Sequence, residues 1–163
     1  MDANSPPVAP FPATRHWKIA ALWDYWCGVR INRGRMPRRA DIDPIDIPKL
    51  LPNIWLADIE PGTGRYRYRV VGTAVTRARN NDQTGGYIDE EVPGLGETEF
   101  GRALARTARE GVPTWNIAAP PAALPLHDIV EAERLTLPLA GEDRPVAMLL
   151  SISVYRLRTG EIL

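Results

Sequence analysis

The sequence predicts a single α+β domain, in which a five-stranded antiparallel sheet carries helices on one face and is preceded by an N-terminal helix. Two stretches have the spacing of amphipathic helices, and five have the alternation or the apolar run of strands. Short turn-rich loops between successive strands indicate antiparallel hairpins. The 163 residues fit one domain, and 44% hydrophobic with 25% charged residues is ordinary for a globular protein.

The N-terminal part of the chain predicts a tail and then a helix. Residues 1–13 contain four prolines and predict a disordered tail. A helix is predicted over residues 14–35, with Thr14 as its N-cap and Gly34 as the residue that stops it. The helix carries one strongly apolar stripe at i, i+3, i+4 and i+7 spacing, formed by Ile19, Leu22, Trp23 and Trp26.

The rest of the chain, residues 36–163, predicts the sheet domain. A short helix is predicted over residues 44–51, with Asp43 as N-cap. Strands are predicted over residues 54–60, 65–72, 112–118, 129–137 and 146–156. Helices over residues 73–80 and 97–110 lie in the segment that crosses from one edge of the sheet to the other.

The net charge of zero conceals two halves of opposite sign. Residues 1–80 contain 13 basic and 7 acidic side chains, whereas residues 81–163 contain 7 basic and 13 acidic ones. The acidic half would repel a phosphate backbone, so we expect no nucleic-acid partner. The opposite signs instead favour contacts between protein subunits at low salt.

The sequence contains no signal for a membrane or for secretion. Its longest apolar run, residues 146–150, is far shorter than the ~20 residues of a membrane span. The N-terminus lacks the basic region and apolar region of a signal peptide. One cysteine, Cys27, cannot form an internal disulfide, which is consistent with a reducing compartment. We therefore expect a cytoplasmic protein without a membrane partner.

Six short segments, taken in order, carry a family resemblance. They are Leu22–Trp26, Met36–Pro44, Leu50–Pro52, Tyr68–Thr73, Thr84–Gly85 and Glu133–Leu139. Over about residues 16–156 the chain resembles PAS domains, in particular the short single-domain bacterial type with a tryptophan-bearing N-terminal helix. The resemblance implies a sensory or interaction module, a sheet order of 2-1-5-4-3 and a cavity between the sheet and its helices. It does not name a ligand.

Departures from that family pattern argue against two common chromophores. Light-reactive flavin-binding PAS domains have a cysteine on the helix after the second strand, and residues 76–80 contain none. Oxygen-sensing haem-binding PAS domains use a histidine on the long helix, and residues 97–110 contain none. No cofactor is predicted. No metal is predicted either, because Pro44 interrupts the acidic run and the glycine and glutamate of a calcium loop are missing.

Strand alternation nominates six residues for a ligand pocket. They are Tyr68, Val70, Trp115, Glu133, Leu135 and Leu150. This mixture suits a small, largely apolar ligand with Glu133 as its one polar contact. Since Glu133 shares its parity with core-facing leucines, its carboxylate either forms an internal ion pair or hydrogen bond, or anchors the ligand. In a further alternative, these side chains fill the core and leave no cavity.

The first of two candidate functions is a sensory or interaction module. The apolar stripe of the N-terminal helix then forms a homodimer interface, packs on the sheet of its own chain, or does both. The stripe consists of Ile19, Leu22, Trp23 and Trp26. Few residues follow the last predicted strand. The signal is therefore expected to leave through contact with another chain, including a separate output protein.

The second candidate function is a small enzyme with the cone-shaped fold of some isomerases and dehydratases. It would use Glu133 as its buried carboxylate, with Tyr68 as the one candidate oxyanion partner. We find no catalytic constellation and do not predict an enzyme. Strand order distinguishes the two functions, because PAS domains place their last strand at the centre of the sheet.

Overall fold

The computed structural model describes residues 7–13, 16–120 and 128–163. The helices and strands are α1 (Trp17–Arg33), β1 (Ile54–Ile59), β2 (Tyr66–Val71), α2 (Thr73–Arg79), α3 (Ile88–Glu91), α4 (Glu99–Glu110), β3 (Thr114–Ala118), β4 (Ile129–Leu139) and β5 (Met148–Leu157). The strands form one antiparallel sheet in the order β2-β1-β5-β4-β3. The last strand therefore lies at the centre, which confirms the order that the resemblance implied.

Helix α1 ends where the sequence predicts and begins slightly later. Gly34 adopts a left-handed φ of 62°, which glycine tolerates without a steric penalty, and its N–H binds the Ile31 carbonyl. At the other end, the His16 side chain accepts a hydrogen bond from the Lys18 backbone N–H at 3.2 Å. Thr14, the predicted N-cap, lies outside the described residues. Within the described ranges, no helix combines the length and the apolar character that crossing a membrane requires.

The prediction of a short helix over residues 44–51 is wrong. Two separate 3-10 turns, Pro44–Asp46 and Leu51–Asn53, occupy this part of the chain. Pro48 explains the difference, because a proline has no N–H for the helix and disfavours helical geometry in the residue before it. Asp43 is nevertheless the N-cap of the first turn, as its carboxylate accepts the Ile45 N–H at 3.0 Å.

Helices cover both faces of the sheet. The α4 face is covered by α2, α3 and α4, and its core includes Trp55, Tyr68, Ile88, Phe100, Leu104, Leu149 and Tyr155. The α1 face is covered by α1 and the turns that follow it, and its core includes Ile19, Leu22, Trp26, Leu56, Leu135, Leu150 and Ile152. Consecutive β5 residues point to opposite faces, so the central strand is buried on both sides.

The apolar stripe of α1 lies inside the chain. Ile19, Leu22, Trp23 and Trp26 are all buried in the core of the α1 face. The indole Nε1–H of Trp26 donates a hydrogen bond to the Pro138 carbonyl of β4 at 3.2 Å. The stripe is therefore covered by its own sheet, the alternative that the sequence left open, and these four side chains are not on the surface of the described chain. A homodimer has to use other surfaces.

Part of the predicted tail contacts the same face. Residues 7–13 form neither helix nor strand. The Phe11 ring packs edge-on against the rings of Trp23 and Trp115, with centroid distances of 5.7 Å and 6.3 Å. This segment therefore extends the apolar layer of α1 towards the edge strand β3.

Replacing Trp26 by alanine is expected to lower the free energy of unfolding by about 3–5 kcal/mol, because it leaves a cavity and an unpaired Pro138 carbonyl. Ile31→Ala in the same helix is the matched control. Since Ile31 is 40% exposed, this change is expected to cost less than about 1 kcal/mol. Urea unfolding followed by circular dichroism measures both. Similar small losses for the two variants would contradict the packing of α1 on the sheet.

The thiol of Cys27 is expected to react slowly with iodoacetamide in the folded protein. Burial raises the pKa of this thiol to about 11. At pH 8 only about 0.1% of it is then thiolate, compared with roughly a quarter for an unperturbed cysteine. Mass spectrometry after timed alkylation measures the rate, and the urea-unfolded protein is the control. Equal rates in the two states would show that the thiol is accessible.

Candidate ligand site

The six residues predicted to line one pocket are divided between the two faces of the sheet. Tyr68 belongs to the core of the α4 face. The other five lie on the α1 face or at its margin: Val70, Trp115, Glu133, Leu135 and Leu150. Leu135 is completely buried in the packed core of that face. The structure therefore does not bring the six side chains together around a single cavity.

A β-bulge separates Tyr68 from Val70. Tyr68 pairs with Ala57 of β1 and Val70 pairs with Leu56, so Arg69 is an extra residue without an opposite partner. Regular alternation places Tyr68 and Val70 on the same face. The extra residue instead turns Val70 to the α1 face, where it is partly exposed.

Glu133 is held by two hydrogen bonds at the margin of the α1 face. Its Oε1 accepts the indole N–H of Trp115 at 2.9 Å, and its Oε2 accepts the backbone N–H of His16 at 3.3 Å. These bonds join β4 to β3 and to the start of α1, which is the internal hydrogen bonding that the sequence left open. Glu133 and Tyr68 lie on opposite faces, so the pair of groups that the enzyme alternative requires is not assembled.

An apolar surface lies beside Val70 on the α1 face. A groove of about 270 Å³ is lined there by Val70, Leu150 and residues of the turns after α1. A second groove of about 360 Å³ shares Ile47 with it. Three of the lining apolar side chains are exposed, and so is Ile45, which stands in the chain between the lining residues Pro44 and Asp46. We call these four exposed residues the groove patch: Trp17, Ile45, Leu51 and Val70.

The α4 face contains buried polar groups that the sequence did not single out. Arg79, at the end of α2, donates from Nη1 to Glu91 Oε2 at 2.5 Å and to the Tyr68 hydroxyl at 3.2 Å. The Tyr68 hydroxyl donates in turn to the same Glu91 oxygen at 3.1 Å. Three elements, α2, α3 and β2, are thereby joined through one carboxylate.

A second buried arginine, Arg134 of β4, lies in the same region. Its Nε donates to Ser153 Oγ at 3.1 Å, and its guanidinium carbon lies 4.3 Å from the centroid of the Phe100 ring. No carboxylate of the described residues forms an ion pair with it. Burial lowers the pKa of Arg134, because a desolvated cation without a carboxylate partner is unfavourable.

Tyr155 of β5 completes the group, which we call the arginine cluster: Tyr68, Arg79, Glu91, Arg134 and Tyr155. Burial opposes ionisation of the Tyr155 phenol, but the charges of Arg79 and Arg134 outweigh it and lower its pKa. Burial raises the pKa of Tyr68, whose hydroxyl faces the Glu91 carboxylate.

Two buried atoms of the cluster lack a hydrogen-bond partner of acceptable geometry among the described residues. They are the Tyr155 hydroxyl oxygen and Arg79 Nε. An unsatisfied buried polar atom is costly, and it commonly marks a place for water, an ion or a ligand. The arginine cluster is therefore the candidate ligand site on the face where the family resemblance places a cavity.

Sequence reasoning singled out Tyr68 but missed the rest of this cluster, because the other residues have ordinary local explanations. Arg79 near a helix C-terminus is typical of a dipole-stabilising cation. Arg134 has the opposite parity to Leu135 and Leu137 and therefore resembles a solvent-facing strand residue. The position of the last two strands inside the sheet could have revealed Arg134, because a residue on an interior strand that is covered on both faces is buried whichever face it points to. In the described part of the chain, no histidine, cysteine and carboxylate side chains are grouped to hold a metal ion.

The chain is similar to known proteins in its sequence and in its structure. A crystal structure of the Rhodobacter sphaeroides LOV protein is similar at 12% sequence identity and a TM-score of 0.47, covering 73% of this chain and 71% of that chain. No curated protein matches the sequence. A family model described as PAS domain matches residues 14–152, which is most of the chain and includes α1. This chain belongs to the PAS domain family.

Proposed function

We propose that this protein is a sensory module that passes on its signal by contact with a second copy of the chain. PAS domains serve as sensory modules, and they commonly dimerise. The central position of β5 supports this function over the enzyme alternative. The separation of Glu133 from Tyr68 by the sheet supports it as well.

The observation that carries the proposal is the groove patch. Its most exposed member, Ile45, is 82% exposed, and contiguous apolar patches of this kind mark interaction sites. The rim of the grooves contains charges of both signs, Arg39 and Lys49 as well as Asp46. A two-fold interface brings the same patch together on both subunits, so a rim of mixed sign is self-complementary.

The position of the groove patch also suits signal transfer. Leu150, which lines one groove, lies on the central strand, and Val70 lies on the edge strand beside β1. A change in the sheet therefore reaches this surface through packed side chains. A separate output protein is the other partner that the patch could take, and the buried free thiol of Cys27 supports a cytoplasmic setting.

Light scattering coupled to size-exclusion chromatography, at tens of micromolar protein, is expected to give twice the mass of one chain. Ile45→Asp places a charge in the patch and is expected to weaken the dimer at least ~10-fold. Ile117→Asp is the matched control, because Ile117 is also exposed but lies on β3, outside the patch.

A monomeric wild-type protein under these conditions would contradict the dimer. Equal dissociation by Ile45→Asp and Ile117→Asp would contradict the assignment of the patch.

The small apolar ligand expected from the sequence fits the same groove beside Val70 and Leu150. Its binding would appear as a thermal shift that Val70→Asp removes, without a change in mass.

A further inference from the structure

We propose that the arginine cluster on the α4 face binds a small monocarboxylate, held by the Arg79 and Arg134 guanidiniums beside the Tyr155 hydroxyl. The inference builds on the proposed sensory function, for which this anion is the input. It names a negatively charged ligand on the α4 face, whereas the sequence suggested an apolar ligand among side chains that lie mostly on the α1 face.

The first argument is the charge balance of the cluster. Arg79 and Arg134 are only 8% and 6% exposed, and Glu91 is the one carboxylate of the described residues that pairs with either of them. Two buried cations with one anion leave a single positive charge without compensation. A buried charge is tolerated when it is paired and hydrogen-bonded. One further negative charge neutralises the cluster, whereas a dianion would give it a net negative charge.

The second argument is the set of free donors. Arg79 Nε–H and the Tyr155 O–H are buried and make no well-directed hydrogen bond with the described residues. A guanidinium presents its N–H groups as a planar fork that matches the two oxygens of a carboxylate.

The third argument is the close apolar packing of the surroundings. Trp55 and Phe100 pack against each other with ring centroids 6.0 Å apart, and the Phe100 ring lies under the Arg134 guanidinium. Leu104 of α4 is completely buried in the same core. Aromatic and aliphatic walls of this kind favour a short apolar tail on the carboxylate, on the scale of acetate or propionate.

Tyr155 couples the site to pH. The charged and titratable groups that act on its hydroxyl are Arg79, Arg134 and Tyr68, and Glu91 acts through its ion pair with Arg79. Ionised Tyr155 supplies the missing negative charge itself and repels a second anion. Carboxylate binding is therefore strongest while Tyr155 is protonated and weakens as the pH rises through its pKa. Conversely, a bound carboxylate raises that pKa.

The test is thermal unfolding of the full chain in acetate, propionate, phosphate or chloride at equal ionic strength. Relative to chloride, acetate or propionate at about a hundred times the dissociation constant is expected to raise the wild-type Tm by roughly 5–10 °C. Arg134→Met is expected to abolish this shift. Arg156→Met, which removes an exposed arginine of β5, is the matched control and is expected to retain it.

Tyr155→Phe keeps the test decisive if Arg134→Met does not fold. It removes one hydroxyl from the site and is expected to weaken acetate binding about 10-fold. An equal shift in chloride and acetate would overturn the carboxylate assignment, and a larger shift in phosphate would replace it by a phosphate site. An undiminished shift in Tyr155→Phe or in folded Arg134→Met, or no shift in the wild type, would overturn the site. A dimer in light scattering would in each case leave the proposed function standing.

Tyrosine absorbance at 295 nm gives a second readout that a purely structural cluster would not change. The pKa of Tyr155 is lowered, whereas burial raises the pKa of Tyr25, Tyr66 and Tyr68, and a hydrogen bond to Glu60 raises that of Tyr87. The first phenol to titrate is therefore expected to disappear in Tyr155→Phe and to move to higher pH in acetate. A first step that does not respond to acetate would contradict binding beside Tyr155.

Discussion

The double burial of β5 is the constraint on which the rest of this fold depends. The strand has neighbours on both sides and carries Leu149 and Leu150 towards opposite faces, both fully removed from water. A strand in this position needs an apolar layer on each face of the sheet. The segment between β2 and β3 supplies one layer and α1 supplies the other, so α1 is a structural part of the domain.

Local sequence patterns predicted most of the helices and strands, but they did not predict what each of them packs against. The helix caps at Gly34 and Asp43 and the hairpin strands follow from short-range chemistry, and the strand order followed from the family resemblance. The apolar stripe of α1 has the same spacing whether it faces its own sheet or a second chain. Pro48 interrupts the predicted helix, and the extra residue Arg69 interrupts the alternation of β2. The spacing of apolar residues does not reveal an interruption by a single residue.

The two faces of the sheet differ in chemistry although they share their strands. The α1 face has a core of apolar side chains with the neutral Asn53 at its margin, whereas the α4 face contains two buried guanidiniums. Ser153 of β5 accepts hydrogen bonds from both Trp55 and Arg134, while Ile152 and Val154 on either side of it pack on the α1 face. One strand therefore contacts a polar site on one side and the apolar surface layer on the other, which gives the two a direct mechanical connection.

The bulge at Arg69 makes this one position of the edge strand tolerant of a change in length. A substitution there leaves Val70 on the α1 face and Val71, which packs with the other core, where they are. Deletion of Arg69 removes the bulge but keeps Val70 opposite Leu56 and Val71 opposite Trp55, so both valines keep their faces. Over evolutionary time position 69 should therefore accept loss of its residue as well as substitution, whereas deletion in the regular part of a strand moves the side chains beyond it to the opposite face.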